Sequence, residues 1–204
     1  MEVADALRRR RMVRHYDGRP VPDDALARIV DAARRAPTAG HAQGQHVVIV
    51  ASEEGRRAVA ARCHEAEHVA RGRPPWLSSA PVHLVLCARP QDYRDRYAAV
   101  DKAAPERPDA WPVPFWWVDA GQTLMALQLA AVDEGLAAGF LDIADRAGLR
   151  RDLAIPDEVE PIGVLTVGYP GDRDAVVGSA RRPRRPRTEV LHVERWGADP
   201  PRDT

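Results

Sequence analysis

The chain has 204 residues and 22.5 kDa, with 30 basic against 30 acidic residues and a hydrophobic fraction of 45%. That size and balance describe one soluble globular domain, and zero net charge excludes a global field steering the chain to nucleic acid or anionic lipid. Two cysteines cannot build a disulfide framework, no apolar run approaches a membrane span, and the charged N-terminus lacks a secretory h-region; the expected location is the cytoplasm.

In chain order, residues 2–11 read as a short helix with a basic end. Pro20-Val21-Pro22 sets up a second helix, capped by Asp23 or Asp24, with Leu26, Ile29, Val30 and Ala33 at helical spacing as far as Arg35. Ala36–Gly40 breaks it, and His46–Ala51 is an apolar, β-branched strand. Ser52 caps a helix running to about Val69, which Pro74-Pro75 ends. Val82–Ala88 is a second strand. Residues 89–114 are polar, aromatic and punctuated by proline, and read as a functional loop or lid. Phe115–Gly135 is a long helix, apolar nearly all round and therefore deeply buried. A short apolar segment at 136–143, a small helix at 145–153 and a third clear strand at Ile162–Val167 follow. Residues 189–196 add a last strand or an arm. There is no internal repeat and no second core, which gives one α+β domain over residues 1–204, with a C-terminal arm at about 180–204.

Motifs for a dinucleotide fold, a P-loop, a serine-hydrolase elbow and a zinc protease are all absent. His64 and His68 stand four apart on an expected helix, either as a solvated surface or as half of a metal site; no third ligand is evident, and no metal is expected. Arg8–Arg11 with Arg14 is either a solvated basic helix end or a clamp for a planar anion. A second basic cluster, Arg181 to Arg187, is a nucleic-acid tail or the other half of such a clamp. The loop Ala36–Gln45 is small and amide-rich, an ordinary connection or a surface whose backbone N–H groups meet a planar ligand.

These elements, taken together, resemble the FMN-dependent nitroreductase family. RRMVRHYD, APTAGHAQGQHVVIV, VDAGQTLMALQLAAVDEGLAAGFL, PIGVLTVGYPGD and RPRRPRTEVLHVERW stand in that family's order over nearly the whole chain, apart from about residues 89–114. The resemblance implies an α+β fold with a central mixed or antiparallel sheet flanked by helices, built as an intertwined homodimer with two shared FMN sites. It assigns Arg10, Arg11 and Arg14 to the FMN phosphate and pyrimidine edge, and Arg182 and Arg184 to the phosphate. Pro37, Thr38, Ala39 and Gln43 line the ring from the partner chain, and the backbone at Ala138 and Gly139 approaches its reactive edge. Met12 stands where the family has serine, and His41 where it has asparagine. Residues 89–114 occupy the place of the family's substrate-covering insertion, where Tyr97, Lys102 and Trp111, with Phe115 just beyond, are candidates to meet a flat substrate. Trp116 and Trp117 stack on substrate or simply open the central helix.

The implied activity is hydride transfer from NADH, NADPH or a deazaflavin, through FMN, to a nitroaromatic, quinone, enone or flavin acceptor. No nucleophile is needed, which suits the absence of triads. The alternatives are specialised chemistry on the same fold (flavin cleavage, dehalogenation or dehydrogenation of a natural product) and a non-enzymatic flavin- or nucleic-acid-binding module. Neither a nucleic acid nor a membrane is an expected partner.

Overall fold

A computed structural model describes residues 1–72, 74–102, 108–172 and 182–198. Residues 103–107 of the irregular segment, and 180, 181 and 199–204 of the arm, lie outside the described residues. The chain divides into two compact units, Met1–Asp174 and Ala175–Thr204.

The first unit is built on one antiparallel sheet of four strands: β1 (Gln45–Val50), β2 (Val82–Ala88), β3 (Ala137–Leu141) and β4 (Glu160–Gly168), in the order β1-β2-β4-β3. The mixed-or-antiparallel expectation resolves to antiparallel throughout. β2 is buried at every position, as its run VHLVLCA, apolar but for His83, requires of a central strand covered on both faces. The short segment at 136–143 supplies the fourth strand.

Helices cover both faces of this sheet. They are α1 (Val3–Arg9), α2 (Asp23–Arg35), α3 (Glu53–Arg62), α4 (Glu65–Ala70), α5 (Pro90–Tyr97), α6 (Phe115–Asp133) and α7 (Arg146–Asp152). One core cluster joins Ile29 of α2 and Leu127 of α6 to Leu84 and Leu165 of the sheet. The other packs Val59 of α3 and Leu149 of α7 on Val85 and Val164. None of the helices among the described residues is long and apolar enough to cross a membrane.

Five expectations change. α2 starts behind Pro22 and no side chain caps it; Asp23 and Asp24 lie in its first turn, where carboxylates suit the helix dipole. The helix from Ser52 is two helices. The Ser52 hydroxyl caps α3 as expected, but His64 turns to φ 55° and starts α4. His64 therefore sits at a break, ion-paired to Glu67, and does not share a helix face with His68. Among the described residues no group of His, Cys, Asp and Glu is arranged to hold a metal.

The segment 89–114 is not structureless: it contains α5 and short 3₁₀ turns at Val100–Lys102 and Pro108–Ala110. α6 is buried on one side only. Trp116, Ala120, Leu127 and Ala131 face the core together with Asp119, Thr123 and Gln128, whereas Trp117, Val118 and Met125 are exposed. In the second unit residues 189–196 form no strand. A 3₁₀ turn at Arg187–Glu189 leads into bends, with Val190, Leu191, Val193 and Trp196 exposed and the His192 and Trp196 rings 4.4 Å apart.

Candidate functional site

Two groups of expected site residues come together, at opposite corners of the sheet. The first is the arginine segment. After α1 the chain runs extended beside β3, where Met12 bridges Ala138 in parallel and the Val13 N–H donates to the Ala138 carbonyl at 3.0 Å. This approach needs Gly139, since a Cβ there would overlap the Val13 carbonyl oxygen. Tyr16 pins the far end of the segment, its hydroxyl 2.7 Å from that of Thr166.

Arg10 donates to the Gln128 side-chain amide at 3.3 Å. That partner is neutral, so the bond leaves the guanidinium charge uncancelled. The Arg14 guanidinium carbon lies 5.6 Å from the centre of the Trp76 ring, within cation–π reach. Met12 is exposed, and its Sδ accepts from the Phe140 N–H at 3.4 Å, so a thioether takes the edge N–H of β3. Arg11 points elsewhere and lines a cleft of about 370 Å³ with Arg8, Arg9, Val13, Ala137 and Pro170. Arg182 and Arg184 are exposed in the second unit.

The second group is the loop before β1. Thr38 organises it: its carbonyl accepts from the His41 N–H at 2.8 Å and its hydroxyl from the Gln43 N–H at 3.0 Å. The Ala39 N–H donates to Asp119 Oδ2 at 2.8 Å, and the Ala42 N–H to the Ala39 carbonyl. Four of the N–H groups expected to meet a ligand are therefore engaged within the protein. What the loop offers outward is a small-residue surface with the exposed side chains of Pro37, His41 and Gln43. Gly40, His41 and Gln43 all have positive φ, 61°, 58° and 55°.

α5 clamps this loop. The Arg96 Nε donates to the Gly40 carbonyl at 2.8 Å while its Nη atoms hold Asp101. Tyr97 covers Gly40 and Tyr93 covers Gly44: an added Cβ would come within 2.8 Å of the first ring and 2.6 Å of the second. The four candidate substrate residues stand beside the loop in one row. Lys102 Nζ is 5.2 Å from the Tyr97 ring, Tyr97 meets Trp111 edge-on at 4.8 Å, and Trp111 meets Phe115 at 5.3 Å. Trp116 turns inward onto Tyr93, while Trp117 is exposed.

Sequence reasoning missed the group beneath the loop. Asp119 of α6 is 1% exposed. It accepts from the Ala39 N–H, from the Tyr93 hydroxyl at 2.7 Å and from Gln122 Nε2 at 3.3 Å. Gln45 Nε2 donates to the Tyr93 oxygen at 2.8 Å and to the Trp116 carbonyl at 3.0 Å. Burial and the Asp119 carboxylate push the Tyr93 hydroxyl well above its ordinary pKa, so it remains a donor. The available signal was the single charged residue in the run 115–132.

The separation of the two groups follows from strand order and register. Gln45 pairs with Ala88, which pairs with Glu160 at the start of β4, whereas Ala138, beside Met12, pairs with Val167 near its end. Four strand spacings across and seven residues along put Met12 and Gln45 roughly 25–30 Å apart, while the contacts of Arg10 to Gln128 and of Ala39 to Asp119 are separated by about 14 Å along α6.

The nitroreductase family model matches residues 7–169. A Bacillus subtilis protein named FMN reductase [NAD(P)H] is 29% identical over 96% of this chain and 74% of its own length. A Methanothermobacter thermautotrophicus protein named as a putative NADH dehydrogenase/NAD(P)H nitroreductase is 27% identical over 96% of this chain and 88% of its own. Among solved structures, the hypothetical oxidoreductase YcnD of Bacillus subtilis superposes with a TM-score of 0.75 at 28% identity, covering 96% of this chain and 75% of that one.

Proposed function

The chain belongs to the nitroreductase family, and from that premise we propose that it is an FMN-dependent oxidoreductase. It takes hydride from NADH or NADPH and delivers it to a flat, conjugated acceptor: a nitroaromatic, a quinone, an enone or free flavin. It works as a homodimer whose sites are shared between copies. The observation that carries this reading is the diagonal separation of the arginine segment from the loop. In the shared-site arrangement that the family resemblance implies, a site using both groups draws the arginines from one copy and the loop from its partner. The exposed apolar side of α6, at Trp117, Val118 and Met125, supports such an assembly.

The residues present suit FMN. Arg10 is held by a neutral amide and Arg14 lies within cation–π reach of an aromatic ring, and planar cations so placed suit a phosphate or an electron-rich pyrimidine edge. The loop presents small side chains on a backbone already internally bonded, which a flat ring can cover without stranding N–H groups. Bound there, FMN supplies the two-electron carrier that accepts hydride from the nicotinamide and passes it to the acceptor.

The protein's part is positioning and electrostatics. Arg10 or Arg14 stabilises negative charge developing at the pyrimidine end. Trp111 and Phe115 form an apolar wall that excludes water and stacks a planar acceptor. Lys102 Nζ, over the Tyr97 face, is a proton-bearing group at that wall. The family resemblance also assigns Arg182 and Arg184 to the phosphate. The names of the relatives support the reductant, and the acceptor class rests on the aromatic row.

The test is the absorbance spectrum of the purified protein, supplemented with FMN and then reduced anaerobically. Flavin bands that co-purify or saturate on titration, and bleach with NADH or NADPH, are the expected result. A protein that takes up no flavin sinks the reading.

A further inference from the structure

Asp119 is a carboxylate inside an apolar helix, and each of its described donors is neutral: a main-chain amide, a phenol and a side-chain amide. Burying a carboxylate against neutral donors is costly, and an apolar residue of similar size would pack α6 without that penalty. The donors show what the arrangement achieves. One comes from the loop at Ala39, one from α5 at Tyr93 and one from α6 itself. Through Tyr93 the same carboxylate reaches Gln45, at the other end of the loop. Asp119 thus ties both ends of residues 39–45 to the helix carrying Trp116, and so to the base of the aromatic row.

We propose that Asp119 is a positioning residue: by holding the Ala39 N–H directly and Gln45 through Tyr93, it presents the Pro37–Gln43 loop to the flavin ring. This rests on the flavin reading above. It predicts that the residue acts on the ring end of the ligand and not on the phosphate end, because the arginine segment stands at the opposite corner of the sheet. It also predicts that the acceptor oxygen matters more than the charge. The amide introduced by Asp119→Asn keeps an oxygen for both Ala39 and Tyr93, and Gln122 can turn its carbonyl oxygen to the new N–H.

The experiment titrates FMN and riboflavin into the flavin-free protein, for wild type, Asp119→Asn, Asp119→Ala and Arg10→Ala, with dimer content and thermal midpoint measured in parallel. Asp119→Ala is expected to weaken both flavins by the same factor, roughly tenfold or more, and to alter the visible spectrum of the bound ring. Asp119→Asn stays within about threefold of wild type, the difference expected of a swap that retains the acceptor. Arg10→Ala weakens FMN by a larger factor than riboflavin, since only FMN loses a phosphate contact. Should Asp119→Ala fail to fold, Tyr93→Phe removes one link while keeping the ring, and is expected to weaken both flavins equally by a smaller factor. Unchanged riboflavin affinity in a folded Asp119→Ala or Tyr93→Phe dimer overturns the positioning role, and so does an Asp119→Asn variant as poor as Asp119→Ala. A wild type that binds neither flavin removes the flavin reading itself, and this inference with it.

Discussion

His41 has φ 58° and an exposed side chain, in a loop where the family resemblance places asparagine. Asn, Asp and His are the non-glycine residues that tolerate left-handed backbone best, so the exchange is conformationally conservative even though the side chain differs. His41→Asn should leave the thermal midpoint and flavin affinity nearly unchanged, whereas β-branched His41→Val should cost about 1–3 kcal/mol and loosen the ring contact; equal behaviour of the two would place the loop elsewhere. His83 gives a second prediction. It is fully buried on β2, its Nε2–H donates to the Leu77 carbonyl at 2.8 Å, and desolvation pushes its pKa down to about 4. The unfolded chain binds this proton from about 6.5 downward and the folded chain does not until about 4. His83 therefore favours unfolding as pH falls through that window, by up to about 3 kcal/mol. Urea unfolding should show a shallower pH slope between those values in His83→Gln than in wild type. At this scale Arg10 and Arg14 were marked as candidates by the sequence, because an arginine cluster implies an anionic ligand. Asp119 was not, because an acid in a helix reads as surface until its donors are known, and these lie 80 and 26 residues away along the chain.

α5 shows how an element can escape sequence reading and still govern a site. Pro90–Tyr97 is almost wholly polar and buries only Pro90 and Tyr93, so it has no apolar stripe to reveal its period; a proline at its first turn was the one sign. The break between α3 and α4 was equally hidden, since it depends on a left-handed histidine with no glycine to mark it. By contrast β2 and the Ser52 cap were legible, because a largely apolar run and a hydroxyl ahead of two acids are local signals. The contact of α5 with the loop explains two glycines that the sequence alone does not. Gly44→Ala drives a methyl into the Tyr93 ring and toward the Arg89 carbonyl. It should lower stability by about 1–3 kcal/mol in chemical denaturation, and lower flavin affinity with it. A variant as stable as wild type would mean that α5 does not press on the loop.

On the scale of the molecule, the composition of α6 promised more burial than one copy provides, and Trp117, Val118 and Met125 are the surplus. An obligate interface buries upwards of about 2,000 Å², and the proposed dimer would use this exposed aromatic and aliphatic face. Met125→Glu should shift the protein toward monomer in light scattering and should lower FMN affinity, although no residue of the arginine segment or the loop has changed. A tight FMN-binding monomer would refute the shared site. The order β1-β2-β4-β3 carries one more consequence. If each site takes its arginines from one copy and its loop from the other, lesions in the two halves are genetically complementary. Chains carrying Arg10→Ala, mixed with chains carrying Asp119→Ala, form hybrid dimers in which one site holds both lesions and the other holds neither. Neither parent has a sound site, yet the mixture recovers activity, and covalently fusing two copies, one of each kind, turns that recovery into a property of a single polypeptide.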